Sequence, residues 1–273
     1  MGVTMRGRVN IGVDTASGRH KLRQHAVIMD AAEYTNLKRV EGKHWYYAGK
    51  RELVRLWLQK VGLHDSEKIL LDCGAGTGRF AAEMEEHCKV LVLDDHEESL
   101  ELLRKQFSPE QVLALAEDGI PLPDESVDYI TALDVLEHVE HDGPAVEGFH
   151  RVLKTDGIAL VTVPAGMALW SDWDVTLHHF RRYSRRELKG IFPDDEWEIL
   201  YHNYTNILAF PVAWVLRKLR KQKPAGDTQN RMEDRIPAEW LNSLLRRIFV
   251  GMAFWRIPFP FGLSLILVAR KRS

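Results

Sequence analysis

In ILLDCGAGTGRF, residues 69–80, an apolar run closes on Asp72, and Gly74, Gly76 and Gly78 then stand at alternate positions. Glycine bends the backbone where other residues are strained, and it brings main-chain amides close to a ligand that side chains would hold off. A helix opening directly behind such a loop adds free N–H groups. The chemistry these residues support is the cradling of a polar ligand. A phosphate-binding P-loop needs Lys followed by Ser or Thr after its last glycine, and Arg79-Phe80 stand there. The dinucleotide fingerprint G-x-G-x-x-G would put its third glycine at Arg79. Asp94 does lie about 20 residues on, where a ribose-binding acid belongs, so a nicotinamide cofactor and an oxidoreductase stay as an alternative.

The elements around the loop alternate. Strands are expected at 69–71, 90–93, 112–114, 129–133 and 159–163, with helices from Phe80, through 100–103 and over AVEGFHRVL, residues 145–153. Alternation of this kind gives parallel strands with crossover helices on both faces, a doubly wound α/β sheet. An amphipathic helix over 47–61 precedes the first strand, the capping box Ser184–Glu187 opens another helix, and a strand at 198–204 follows. Apolar helical stretches at 207–219 and 238–255 then flank a polar linker before the last strand, LSLILVAR. This predicts an N-terminal extension over 1–40, a ligand-binding domain over 41–205 plus 262–273, and a helical insertion over 206–261.

Composition bounds the class. The 273 residues are 45% hydrophobic, enough for a core, and the net charge of -2 gives no field for nucleic acid. Only two cysteines occur, Cys73 within the glycine stretch and Cys88, which fits a reducing compartment better than a disulfide framework. No signal peptide or membrane-spanning run is apparent, and a cytoplasmic protein is expected.

The spacing D-x-G-x-G-x-G from Asp72 to Gly78 resembles the first motif of class I S-adenosylmethionine-dependent methyltransferases. VLVLDDHEESL, IPLPDESVDYI, LDVLEHV and FHRVLKTDGIALVTVP resemble the family's later motifs in order, so the resemblance runs from Ile69 to about Pro164. Flanks such as KHWYYAGKREL and HHFRRYSRREL resemble a bacterial, type 11/12-like branch acting on small molecules. The resemblance implies a seven-stranded, mostly parallel Rossmann-like sheet and S-adenosylmethionine as cofactor. It also implies cofactor contacts by Asp72, Gly74, Ala75, Gly76, Gly78, Asp94, Asp95, Glu117, Asp118 and Leu133, with Asp94 using both oxygens on the ribose hydroxyls. The family's common Asp-Ala pair is replaced by Leu115-Ala116, which bears on the adenine contacts.

Methyl transfer from a sulfonium is an in-line displacement, so the protein aligns the partners, excludes water and, for a hydroxyl acceptor, removes a proton. His138, just past the fourth strand, is a candidate base; its other reading is a histidine that orders the loop by hydrogen bonding. DWDVTLHHFRRYS gathers Asp174, His178, His179, Arg181, Arg182 and Tyr183, either to bind and deprotonate an acceptor, with His179 the second candidate base, or as ion pairs bracing the next helix. No ligand pair stands at a helical spacing such as H-E-x-x-H, and no metal is expected. The acceptor is expected to be a small or lipid-linked molecule methylated at oxygen; a protein that binds S-adenosylmethionine without catalysis is a further alternative. Residues 207–223 carry Arg217, Lys218, Arg220, Lys221 and Lys223 with no acid, which suits peripheral contact with an anionic membrane. The insertion's other readings are an acceptor cap or a dimer contact, and the oligomeric state is open.

Overall fold

The computed structural model describes residues 40–219, 236–254 and 258–273. The first helix, α1 (Trp45–Lys60), leads into β1 (Ile69–Cys73), α2 (Arg79–Met84), β2 (Lys89–Asp94), α3 (Glu97–Gln106), β3 (Val112–Ala114) and β4 (Val127–Leu133). A 3-10 turn at Leu136–His138 precedes α4 (Asp142–Val152) and β5 (Leu153–Pro164). A second such turn, Met167–Leu169, precedes α5 (Asp172–Thr176) and α6 (Arg185–Gly190), and then come β6 (Trp197–Thr205), α7 (Phe210–Leu219), α8 (Glu239–Phe254) and β7 (Ser264–Lys271).

The strands form one seven-stranded sheet in the order β3-β2-β1-β4-β5-β7-β6. The pairs among the first five strands are parallel, and β7 runs antiparallel between β5 and β6. The order reverses between β1 and β2 on one side and β4 on the other, so a crevice opens at the carboxyl ends of β1 and β4, where doubly wound folds bind ligands. Central strands are buried on both faces, as in VDYITAL of β4, whose first six residues are all buried.

Several boundaries differ from expectation. The α4 helix ends at Val152, and Leu153 already pairs with Val127, so the strand expected at 159–163 begins earlier and residues 155–157 lie within β5. Asp156 there adopts a positive φ of 63°. The five-residue helix α5 had no visible period; Asp174 at its third position receives the Ser171 N–H at 2.9 Å and fixes its start. The expected extension over 1–40 falls, apart from residue 40, outside the described residues, as does most of the polar linker.

Two apolar layers sandwich the sheet. Trp57, Leu58, Met84, Leu103, Val250 and Ala253 from α1, α2, α3 and α8 fill one face, and Val146, Phe149, Leu188 and Phe192 from around α4 and α6 fill the other. The insertion therefore does not fold back on itself alone: α8 lies across α1. Gly49 makes this approach possible, because a Cβ there would sit 2.8 Å from Cδ1 of Phe249. Asn242 accepts the Trp45 N–H at 2.8 Å, and Arg246 meets Glu52 at 2.6 Å. Trp57 stacks on Tyr201 at 4.2 Å between ring centroids. Phe249 is the buried hinge of this contact, so Phe249→Ala should lower stability by about 3 kcal/mol, read as a shifted urea midpoint; a midpoint unchanged within error would show that α8 does not depend on it.

Candidate active site

The glycine loop sits at the carboxyl end of β1. Gly74, Gly76 and Gly78 all have positive φ, at 64°, 56° and 76°. At Gly74 a Cβ would lie 2.6 Å from Cγ2 of Val135, and at Gly78 one would lie 2.7 Å from the Phe107 ring, so both positions exclude a side chain by shape as well as by torsion. The Gly74 and Ala75 amides donate to the Leu93 carbonyl at 2.8 and 3.1 Å, which ties the loop to the end of β2.

Asp94, buried at that end, collects three main-chain amides. Its Oδ2 accepts from Gly76 N–H at 2.9 Å, and its Oδ1 accepts from the Asp95 and His96 N–H groups at 3.0 Å each. Backbone donors thus engage each oxygen, and lone-pair counting leaves Oδ2 one further acceptance. Asp95 pairs with His96 Nδ1 at 2.6 Å. Interaction of its ring N–H with the Asp94 and Asp95 carboxylates raises His96 to about 10, so a protonated imidazole sits beside the loop.

Asp72 takes the Thr131 hydroxyl at 2.7 Å and so ties β1 to β4. Burial, reinforced by the Asp94 charge, lifts its carboxyl to about 7.

A second group of side chains lines the loops after β4 and β5. Asp134 closes β4 with a φ of 57° and is held by the Thr162 hydroxyl at 2.9 Å and by an ion pair with Lys50 of α1. Burial alone would raise its carboxyl, but the Lys50 ammonium holds it below the ordinary value. Glu137, next along, is buried, and burial together with the Asp134 charge raises it well above the carboxylate range. His138 and His179 meet edge to face with centroids 4.6 Å apart. Burial, with the neighbouring His179, lowers His138 to about 4, which leaves a neutral imidazole. His179 Nδ1 lies 3.0 Å from Asp174 Oδ1, and Arg182 Nε donates to the same oxygen at 2.7 Å. Asp174 is fully buried; burial opposes its charge, yet these two partners bring it down to about 2.

Comparison with known proteins identifies the domain. Residues 71–161 match the family model described as a methyltransferase domain. Over 103 residues the chain is 34% identical to a methyltransferase-like protein of Schizosaccharomyces pombe, covering 37% of this chain and 40% of that one. Over 114 residues it is 32% identical to malonyl-(acyl-carrier protein) O-methyltransferase of Yersinia pestis, covering 41% of each. The chain thus spans about two fifths of the length of these curated relatives. In fold it is similar to a SAM-dependent methyltransferase of Thermotoga maritima, at 18% identity and a TM-score of 0.55 over 88% of this chain and 96% of that one. Residues 71–161 are thus similar to methyltransferase domains, within a chain that has the fold of S-adenosylmethionine-dependent methyltransferases. S-adenosylmethionine is the cofactor of this family, and the nicotinamide alternative is set aside.

The methyltransferase domain brings Gly74, Ala75, Gly76, Gly78 and Asp94 together as one loop with its anchor, and Asp95 stands partly exposed at its edge. Leu133 ends β4, half-buried, whereas Glu117 and Asp118 lie exposed in the turn after β3. The cluster DWDVTLHHFRRYS divides. Tyr183 is buried with its hydroxyl 2.7 Å from Asp142, Arg181 reaches the same carboxylate at 3.2 Å, and Arg182 is spent on Asp174, so these three brace loops. His141 and His178 are exposed. Sequence reading passed over Lys50, Asp134, Glu137 and His96. Adjacency in LDDHEE and LDVLEH was the available signal for the last three, and nothing local pointed to Lys50.

Asp72 offers a pH test. Its carboxyl titrates near 7 when folded against an ordinary value of 3.8, so between these the folded chain holds a proton that the unfolded chain has lost. Stability should therefore fall as pH rises through that window. In Asp72→Asn the decline in urea midpoint between about pH 5 and about pH 8 is expected to shrink, and an unaltered decline would assign the effect elsewhere.

Proposed function

We propose that this chain transfers the methyl group of S-adenosylmethionine to an oxygen of a small or lipid-linked acceptor. In that step the acceptor oxygen forms a bond to the methyl carbon as the carbon–sulfur bond breaks, leaving S-adenosylhomocysteine, and the hydroxyl proton must go elsewhere. The observation that carries the oxygen assignment is the His179–Asp174 pair, 3.0 Å apart and almost wholly buried. A buried carboxylate that accepts a hydrogen bond from Nδ1–H fixes the tautomer and turns Nε2 into the acceptor, which suits removal of a hydroxyl proton. The Yersinia pestis relative is named an O-methyltransferase, which supports the same choice. The glycine loop and Asp94 hold the cofactor on the opposite side of the crevice.

The lipid-linked option rests on the insertion. Leu208, Val212 and Val215 form an exposed apolar stripe leading into and along α7, and Trp240, Leu244 and Ile248 form another on α8, with Trp240 71% exposed. Ile207 and Leu208 share a groove with Leu245 and Met252, which joins the two stripes. Arg247 lies exposed beside Trp240, and the sequence around α7 adds basic residues without acids, a combination suited to an anionic membrane surface. Arg220, Lys221 and Lys223 of the basic segment lie outside the described residues. Among the described residues no helix is long and apolar enough to cross a membrane.

The primary test is S-adenosylhomocysteine release with hydroxyl acceptors. His179→Ala should lower kcat by about 10²-fold or more while calorimetric S-adenosylmethionine affinity stays within a few-fold; an undiminished kcat would remove the imidazole from proton transfer. Cofactor binding without turnover on any acceptor would favour the non-catalytic reading. For the surface, the protein should co-sediment with phosphatidylglycerol vesicles more than with phosphatidylcholine vesicles, and a Val212→Ser, Trp240→Ser, Leu244→Ser variant should stay in the supernatant. Equal sedimentation of the variant, or loss of a dimer instead, would move the stripes to another role.

A further inference from the structure

Glu137, His138 and His179 each point one ligating atom into a common space, with all three atoms within 4.8 Å of one another. Glu137 is only 1% exposed, and its Oε2 has no hydrogen-bond partner among the described residues. A buried polar oxygen without a donor is costly, and a bound ligand is one of the few things that relieves it. The two loops that supply the trio are pinned together where Phe180 N–H donates to the Glu137 carbonyl at 2.7 Å. We propose that Glu137, His138 and His179 bind one divalent transition-metal cation on the acceptor side of the crevice.

The donor set defines the class of cation. Two imidazole nitrogens and one carboxylate oxygen suit zinc, manganese or ferrous iron, while magnesium and calcium prefer all-oxygen sets. The surrounding residues do what metal sites require. Asp174 holds His179 Nδ1 at 3.0 Å and leaves Nε2 for a ligand, the carboxylate–histidine arrangement that orients metal-bound imidazoles. Asp134, nearby, is already engaged by Lys50 and Thr162 and stays out of the set. Ligand atoms of a four-coordinate cation stand about 3.4 Å apart when each bond is about 2.1 Å, so the trio has to close by side-chain torsion. Three protein ligands leave a position open for the acceptor oxygen. A hydroxyl bound there would lose its proton to water more readily. With the cation bound, His179 would serve as a ligand in place of the base role proposed above, and the kcat loss in His179→Ala would then report loss of the cation. A second trio, Asp94, Asp95 and His96, also comes within 4.8 Å, but main-chain amides occupy both Asp94 oxygens.

The purpose of this site rests on the methyltransferase reading, but its existence does not, and the test separates the two. Chelator-stripped, tag-free protein is titrated with zinc, manganese and magnesium chlorides by calorimetry, and separately with S-adenosylhomocysteine. One equivalent of zinc or manganese is expected, with magnesium at least tenfold weaker. Glu137→Gln and His179→Ala should each lose the cation by tenfold or more while keeping S-adenosylhomocysteine affinity, and Asp174→Asn should weaken it by about tenfold. No cation uptake by wild-type protein that still binds S-adenosylhomocysteine would overturn the metal site and leave the transferase standing. Uptake unchanged in Glu137→Gln, or lost only in Asp95→Asn, would overturn it equally. Cation uptake without nucleoside binding would instead keep the site and remove the transferase reading.

Discussion

The Asp94 carboxylate is the point at which the cofactor side of the crevice is held. Three main-chain amides, from Gly76, Asp95 and His96, converge on its two oxygens. Such charge-assisted bonds are each worth about 1.5–3 kcal/mol when buried. Their geometric effect matters more. One carboxylate fixes the middle of the glycine loop and the entry to α3 together, so the loop cannot drift without uncapping the next element. On its other flank the loop is limited by shape, since Gly74 packs directly against Val135. Val135 belongs to the loop that carries Glu137 and His138, so this contact adds to the β1–β4 pairing and the Thr131–Asp72 bond in holding the two halves of the crevice in register.

The acceptor side is held by a different kind of interaction. Asp174 has no exposure, and its charge is satisfied by Arg182, His179, and the N–H and hydroxyl of Ser171. A buried carboxylate with this many partners is stable only while each remains, because loss of one leaves an uncompensated charge. Arg181 and Tyr183 converge in the same way on Asp142 at the start of α4. Bracing and chemistry are thus distributed within one short segment: most of its polar residues face inward to hold two loops, and that rigidity is what sets the position of His179.

Much of the fold was legible because its signals are local. Apolar runs such as ILLDC, closed by glycine, and VLVLD, closed by a second acid, define parallel strands without reference to the rest of the chain. The Ser184–Glu187 capping box likewise needs only its own side chains. What stayed hidden depends on distant partners. Lys50 and Asp134 are separated by 84 positions, and no pattern in either neighbourhood indicates that they meet. The inward turn of Arg182 and Tyr183 could not be told from an outward one, since arginine and tyrosine suit either setting. The reach of β5 past its glycine, and the antiparallel return of β7, arise from pairing across the sheet rather than from periodicity.

The insertion's contribution to the site follows from where α8 rests. It touches neither the glycine loop nor the imidazoles through any bond described above, yet it presses Phe249 into the notch at Gly49 and ties Asn242 to the start of α1. That contact positions α1, and α1 presents Lys50 to Asp134. Asp134 in turn holds a positive-φ conformation that most side chains resist, three residues before Glu137 on the same loop. Without Lys50 the Asp134 charge would be buried beside Glu137 with only the Thr162 hydroxyl for support, and that conformation would relax. A helix far from the chemistry thereby acts on it through packing, one ion pair and one strained residue. Its exposed opposite face remains free for a separate task.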